Sequence, residues 1–321
     1  MQAGFARLIY LAFMAKPVYL YYRLLHGVLS IFCWYLYQLR ARRKKIVAES
    51  SQERRPSTSI VCATLGKARS LKSSIQTWAA NGPNAIIVVT CPASFETVSV
   101  DLDTLMLPCL RVLRSSEANK RIQLSVGFAA CNTEYIVIAD DDTAWSPAVL
   151  RSLTEPLVAN EKLGAVFPEV KYRPNGPIPT LWEEFASIRL FGDCIAIRAS
   201  VLIDGGIFCA SGTTAVYRAA ILQDERFLDK FQNVFYGGSR VNAGDDQALT
   251  AWLCKMDWDV SVVEDRAPHG CHVTTTPRSD WRHVYQLIRW SRSDWLTYIE
   301  AVLVDGKIIR CVFTVIISAT S

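Results

Sequence analysis

The 321-residue sequence has no C-x-x-C pair, no Asn-x-Ser/Thr acceptor, no internal repeat and no low-complexity tract. Its ten scattered cysteines therefore suggest neither a zinc site nor a disulfide framework, and they read as reduced core residues. The missing glycosylation acceptor fits a catalytic portion that stays out of the secretory lumen. Histidine is scarce. His269 and His272 flank Cys271, a spacing too cramped for one metal site, so a structural or pocket-edge role is expected. Acid is absent from residues 1–45, which carry eight Lys/Arg, so the whole-chain charge of +5 is a local feature of that segment. A nucleic-acid partner has little support on that pattern.

Half of the residues are hydrophobic, which points to a portion facing lipid. Residues 17–39 are apolar and aromatic apart from Arg23 and His26, and Arg40, Arg42, Arg43, Lys44 and Lys45 follow at once. A bilayer span needs about 20 such residues, so 1–45 is expected to be a transmembrane or interfacial anchor with a cytosolic basic flank. Arg23 would snorkel to the far headgroups. A cleaved signal peptide fits less well, because the run is long, lacks a small-residue cleavage site and has its positive cluster on the C-terminal side. The expectation is thus a membrane location, plasma membrane or another endomembrane, with lipid as a partner and the catalytic domain in the cytosol.

Residues 46–57 read as a polar linker. From 58 to 277, β-rich runs at 59–65, 85–90, 109–113, 135–139 and 164–167 are separated by segments with helical spacing, such as 67–80 and 117–131. That alternation predicts an α/β domain with a mainly parallel sheet covered by helices. Ligands in such sheets bind beyond the strands' C-terminal ends, so the chemistry should follow Leu65, Thr90 and Ala139. Thr64, Leu65 and Gly66 are small enough in sum to let a ligand approach the backbone.

Three clusters carry the chemistry. The run 135–139 ends in Asp140-Asp141-Asp142, and three crowded carboxylates call for a cation or for water; hard oxygen ligands suit Mg²⁺ or Mn²⁺. Gly244-Asp245-Asp246 precedes a helical segment, 247–256; helix capping explains one of those acids, and Asp246 is the candidate general base. Gln286-Leu-Ile-Arg289-Trp290 sits in a segment with helical spacing over 280–300. There Trp281, Val284, Tyr285, Ile288, Trp295 and Ile299 share one apolar face, suited to a membrane surface or to the core. Gln286, Arg289 and Trp290 share the other; a guanidinium suits a diphosphate and an indole suits a sugar ring.

Taken in order, Asp140-x-Asp142, Gly244-Asp245-Asp246 and Gln286-x-x-Arg289-Trp290 resemble the motifs of membrane-embedded family 2 glycosyltransferases, the hyaluronan, chitin and cellulose synthases and fungal type 2 enzymes. Cys209-Ala-Ser211-Gly212, with Tyr217-Arg218 beyond it, resembles the acceptor-side segment, and Asn119-Lys120-Arg121 a nucleotide-contacting one. The resemblance implies a GT-A fold over 58–277, a motif helix over 278–300 and a partial membrane segment over 301–321. It implies an inverting transfer from a UDP-sugar to an acceptor saccharide, with Asp246 as base and Asp140 and Asp142 as metal ligands. Thr64, Gly66, Thr90, Lys120, Arg121, Asp140, Asp141, Gln286 and Arg289 would hold the donor, and Ser211, Gly212, Asp245 and Trp290 the acceptor. Two departures stand out: Thr90 occupies the place of an Asp that contacts uracil in the family, and the sequence stops at Ser321, inside the apolar run 308–319. A shortened chain, a homo-oligomer or a short product would each accommodate the second. A catalytically silent nucleotide-sugar-binding subunit and a transferase to a lipid-linked acceptor are the competing functions.

Overall fold

The structure, a computed structural model, describes residues 27–28, 31–32, 35–36, 56–66, 70–203, 209, 212–236, 238–264 and 271–290. The strands are β1 Thr58–Thr64, β2 Ala85–Thr90, β3 Leu110–Arg114, β4 Tyr135–Ala139, β5 Ala144–Trp145, β6 Leu163–Pro168, β7 Val170–Tyr172, β8 Thr214–Arg218, β9 Phe235–Tyr236, β10 Ser239–Arg240, β11 Asp259–Val263 and β12 Val273–Thr275. The helices are α1 Leu71–Ala79, α2 Phe95–Asp103, α3 Lys120–Ala129, α4 Val149–Ala159, α5 Leu181–Ile203, α6 Ala219–Leu222, α7 Glu225–Gln232, α8 Asp245–Lys255 and α9, residues 283–290.

Seven strands form the central sheet in the order β11-β6-β8-β4-β1-β2-β3. β1, β2 and β4 are near-continuous apolar runs because helices cover both faces of the sheet. Successive residues feed two separate cores. Ile60, Cys62, Ile86, Val88 and Val137 pack with Trp78 and Leu153 on one face, and Val61, Ile87, Val89, Ile136 and Ile138 with Phe128, Phe227 and Trp252 on the other.

The central sheet is mainly parallel, as expected, but mixed: one strand of the seven is reversed, and that strand matters for function. β8 runs antiparallel to both β4 and β6, so it begins where β4 ends, with Thr214 opposite Ala139. Gly212 and Thr213 therefore arrive beside Asp140, whose amide donates to the Thr213 carbonyl at 3.0 Å. A correction concerns the membrane. Among the described residues no helix is long and apolar enough to cross a bilayer, which overturns the expected membrane-embedded architecture and location. The longest described helix, α5, is interrupted by Glu183, Glu184, Arg189, Asp193 and Arg198, and Arg198 pairs with Glu169 at 2.6 Å inside the protein. Of the expected anchor, only 27–28, 31–32 and 35–36 are described, as helix; the rest of it, the linker up to 55 and everything after 290 lie outside the described residues.

α3 lies close on β1. A Cβ added at Gly127 would come within 2.3 Å of Val61 Cγ1, in a fully buried contact. Gly127→Ala gains about 1 kcal/mol of helix propensity and loses about 1–3 kcal/mol to overpacking, so the clash should win. A lower urea midpoint than that of the native chain is the expected outcome; an equal or higher midpoint would show that α3 can retreat.

Candidate active site

The acidic turn is built at the end of β4. Thr143 closes it, its amide and hydroxyl both donating to the Asp140 carbonyl, at 3.1 and 2.8 Å. Trp78 Nε1 donates to the Thr143 carbonyl at 3.1 Å from behind, and the Trp78 ring lies 5.8 Å from that of Trp145. From β1, the Thr64 hydroxyl donates to Asp141 Oδ2 at 2.5 Å while accepting from the Gly66 amide at 2.9 Å. Thr64, Gly66 and Asp141 thus meet at the C-terminal edge of the sheet, where the parallel strands predict chemistry.

The carboxylates strain against one another. Burial, and then the charges of Asp140 and Asp141, push Asp142 up to about 6, although a hydrogen bond from Thr275 opposes them. Burial also raises Asp141, with Thr64 working against it. Their counter-charge comes from Lys120, at the first turn of α3. Its ammonium lies 3.0 Å from Asp140 Oδ1 and 2.9 Å from Asp245 Oδ2, with 31 % of the side chain exposed. Burial works against that charge, but the two carboxylates outweigh it and hold the ammonium well above the usual lysine range. One lysine therefore ties the β4 turn to the start of α8, far apart in sequence.

α8 begins after Gly244, whose φ of 65° is the left-handed conformation that glycine adopts without strain. Asp246 faces Gly212: a Cβ on that glycine would lie 3.2 Å from Asp246 Oδ2. A hydrogen bond from Cys209 also reaches the carboxylate, and the Gln247 amide donates to it at 2.9 Å. Burial first, and the Asp245 charge second, raise Asp246 to about 6 against the pull of Lys120.

Not every expected residue meets this cluster. Arg121 is 6 % exposed and donates to the carbonyls of Ala243 and Gly244, both at 2.9 Å. Thr90 is fully buried; its carbonyl accepts from the amide and hydroxyl of Ser115, and its own hydroxyl has no partner among the described residues. Ser211 lies outside the described residues. On α9, Arg289 is exposed, Gln286 hydrogen-bonds His283, and Trp290 receives the Arg189 guanidinium over its ring at 5.1 Å. The apolar face of α9 does not pack on the core, since Trp281, Val284, Tyr285 and Ile288 are all exposed. The His272 carbonyl accepts from the Ser146 amide and the His272 amide donates to the Ser146 hydroxyl, Cys271 is a core residue, and His269 is not described. No group of three or more His, Cys, Asp and Glu able to hold a metal occurs among the described residues.

Three contributors escaped the sequence. Gln123 donates from inside α3 to the carbonyls of Thr64 and Val89, at 2.8 and 3.2 Å, and so pins the ends of two strands. A buried polar residue on an otherwise apolar helix face was the available signal. Thr275 and Tyr172 approach Asp142 from β12 and β7, and no local pattern announces either.

A family model described as "Glycosyltransferase like family 2" matches residues 56–293. The chain belongs to that family. Family 2 membership bears out the expected enzyme class, a glycosyltransferase. Among curated relatives, a type 2 glycosyltransferase of Pyricularia oryzae is 30 % identical over 70 % of this chain and 46 % of its own length, and one of Zymoseptoria tritici 29 % over 73 % and 49 %. Hyaluronan synthase 3 of Gallus gallus is 27 % identical over 51 % of this chain and 32 % of its own. The chain spans about half the length of the fungal relatives it matches. Among solved structures, a mannosyltransferase from Pyrobaculum calidifontis, in complex with GDP-Man and Mn²⁺, superposes with a TM-score of 0.56 at 14 % identity, covering 92 % of this chain and 85 % of that one. S. aureus TarS 1–349 in complex with UDP-GlcNAc gives 0.52 at 14 %, covering 80 % and 71 %. These likenesses establish a GT-A-like mixed-sheet fold.

Lys120 generates a prediction about this family 2 site. Lys120→Met leaves the half-buried Asp140 and the buried Asp245 without their shared cation, which should cost about 1–3 kcal/mol, the range between exposed and fully buried pairs. Because the folded-state ammonium titrates above its unfolded value, the stabilisation is complete below about pH 10 and fades as pH rises through the folded value. Urea midpoints should therefore show the same deficit at pH 7 and pH 9; equal midpoints for variant and native chain at pH 7 would refute the bridge.

Proposed function

We propose that the chain transfers a glycosyl group from a UDP-sugar to a hydroxyl of an acceptor saccharide, with inversion, Asp246 taking the acceptor's proton. The observation that carries this reading is the double ion pair of Lys120, which draws the Asp140 turn and the Asp245-Asp246 step to one cleft edge. An inverting displacement needs leaving-group stabilisation and a base within one site.

A divalent ion fits the acidic turn. Asp142 is raised by burial and by its two neighbours, a repulsion that a cation would relieve. Asp140 and Asp142 would hold Mg²⁺ or Mn²⁺, with the donor diphosphate and water completing the oxygen shell. When bound, the ion would supply charge stabilisation to the departing nucleotide. Thr64, Gly66 and Asp141 line the same edge and are assigned to the donor, and Gln286 and Arg289 to its diphosphate. Gly212, Asp245 and Trp290 are assigned to the acceptor. The small side of Gly212 leaves the Asp246 carboxylate open to an incoming hydroxyl.

A carboxylate lifted to about 6 is a stronger base than an ordinary aspartate and is still ionised at neutral pH. Turnover should therefore fall tenfold per unit below about pH 6 and level off above it. Asp246→Asn should lower turnover by about 10²–10⁴ while the nucleotide still binds. The measurement is nucleotide release by the full chain, given a panel of labelled UDP- and GDP-sugars with Mg²⁺ or Mn²⁺. Full turnover in Asp246→Asn would remove the base assignment, and turnover with GDP-sugars alone would remove the uridine one.

A further inference from the structure

We infer that Arg121 is a positioning residue for Asp246, acting from beneath through the backbone of the acidic loop rather than on the nucleotide. The inference rests on the proposed role of Asp246 as base.

The turn that opens α3 holds the loop before α8 at five consecutive residues. Asn119 Nδ2 donates to the Val241 carbonyl at 3.2 Å, and the Lys120 amide donates to Asn242 Oδ1 at 2.7 Å. Arg121 Nη2 donates to the carbonyls of Ala243 and Gly244, and the Lys120 ammonium meets Asp245. Flanking the strip, Asn242 Nδ2 donates back to the Ala118 carbonyl at 3.4 Å, and Arg240 pairs with Glu117.

Arg121, like Asn119 before it, is a buried member of this strip. Its guanidinium lies over the Phe231 ring at 5.3 Å, and Nη1 donates to the Phe231 carbonyl at 3.4 Å. The position is thus fixed from α7 as well as from α3. With Nη1 on the Phe231 carbonyl and Nη2 shared between the two successive loop carbonyls, the planar guanidinium holds both peptide planes at a fixed place over α7, and with them the backbone at Gly244, the residue with positive φ. The Gly244 carbonyl also accepts the first bond of α8, from the Ala248 amide at 3.1 Å. The direction in which Asp246 leaves that first turn, and hence its approach to Gly212, follows from where those two carbonyls are held.

A lysine at 121 keeps the charge but replaces two donor nitrogens in a fixed plane, one on the Phe231 carbonyl and one on the two loop carbonyls, with a single point donor; alanine leaves the loop carbonyls without a side-chain donor. Three readouts on the full chain decide the matter: turnover at saturating donor, the UDP dissociation constant with Mn²⁺ by calorimetry, and amide hydrogen exchange over 241–249. Misplacing a reacting group by about 1 Å costs about 10²-fold, so Arg121→Ala should lose about that much turnover and Arg121→Lys about tenfold. The UDP dissociation constant should stay within about threefold in both, since the side chain lies under the loop and donates to its carbonyls rather than toward the donor edge. Guanidinium at millimolar concentrations should restore part of the turnover of Arg121→Ala and none of that of Asp246→Asn. Exchange over 241–249 should quicken in the Arg121 variants alone. If Arg121→Ala does not fold, Arg121→Lys, which keeps volume and charge, decides by the same split. A loss of UDP affinity that parallels the loss of turnover, or turnover within about threefold of the native chain, overturns the inference. Unchanged turnover in Asp246→Asn would instead sink the base assignment, with the exchange of 241–249 still reporting on the clamp.

Discussion

Five carboxylates, Asp140, Asp141, Asp142, Asp245 and Asp246, converge on one half-buried edge of the sheet, and the arrangement depends on the Lys120 ammonium set between two of them. Without a cation there, mutual repulsion and burial would both favour protonation, as the raised values of Asp142 and Asp246 already indicate. Lys120 offsets part of that strain and leaves the outer acids, Asp142 and Asp246, for other partners. The result is an acidic site whose two parts, the Asp140 turn and the Asp245-Asp246 step, are joined by one positive charge.

The fold delivers this convergence through its connections. α3 starts directly above the end of β3, so its first turn rises at the same edge as the β4 turn. The reversed β8 brings Gly212 in from the opposite direction, and the chain then crosses through α6 and α7 before α8 returns. A fully parallel sheet would have put the start of strand 214–218 at the far edge, away from Asp246. The one reversed strand of the seven-stranded sheet is therefore part of how the site is assembled.

Much of this was legible in the sequence. The runs that became β2 and β4 were placed to the residue, because a strand covered on both faces must be apolar along its whole length. The acidic turn was legible because three carboxylates have few structural reasons to sit at the end of such a strand. What the sequence hid were relations perpendicular to the chain. Arg121 looks like any basic residue beside Lys120, yet the helix turns it inward, away from the site and under the next loop. Thr90 sits in the right register for a donor contact, but the packing of Ser115 over its strand end closes it off. The direction of β8 was also hidden, since apolar runs of five residues read alike in either orientation. The anchor expectation rested on hydropathy over residues that mostly lie outside the described ones, and no described helix supports it.

The motif helix α9 shows how far a side chain's role depends on a neighbour. Trp290 has the Arg189 guanidinium of α5 over its ring and the His283 ring at its edge, 6.4 Å away. Arg189 in turn lies 3.7 Å from Asp193, and the charges of both act on Tyr172, as does Asp142. Burial, and then the Asp193 charge, push that phenol up to about 12, so it stays protonated and neutral at any physiological pH. A neutral phenol can stand between an arginine and the acidic turn without adding to the charge of either. The Trp290 indole is thus linked to the acidic turn through α5 and β7, two elements that carry none of the three motifs, and its orientation rests on their packing.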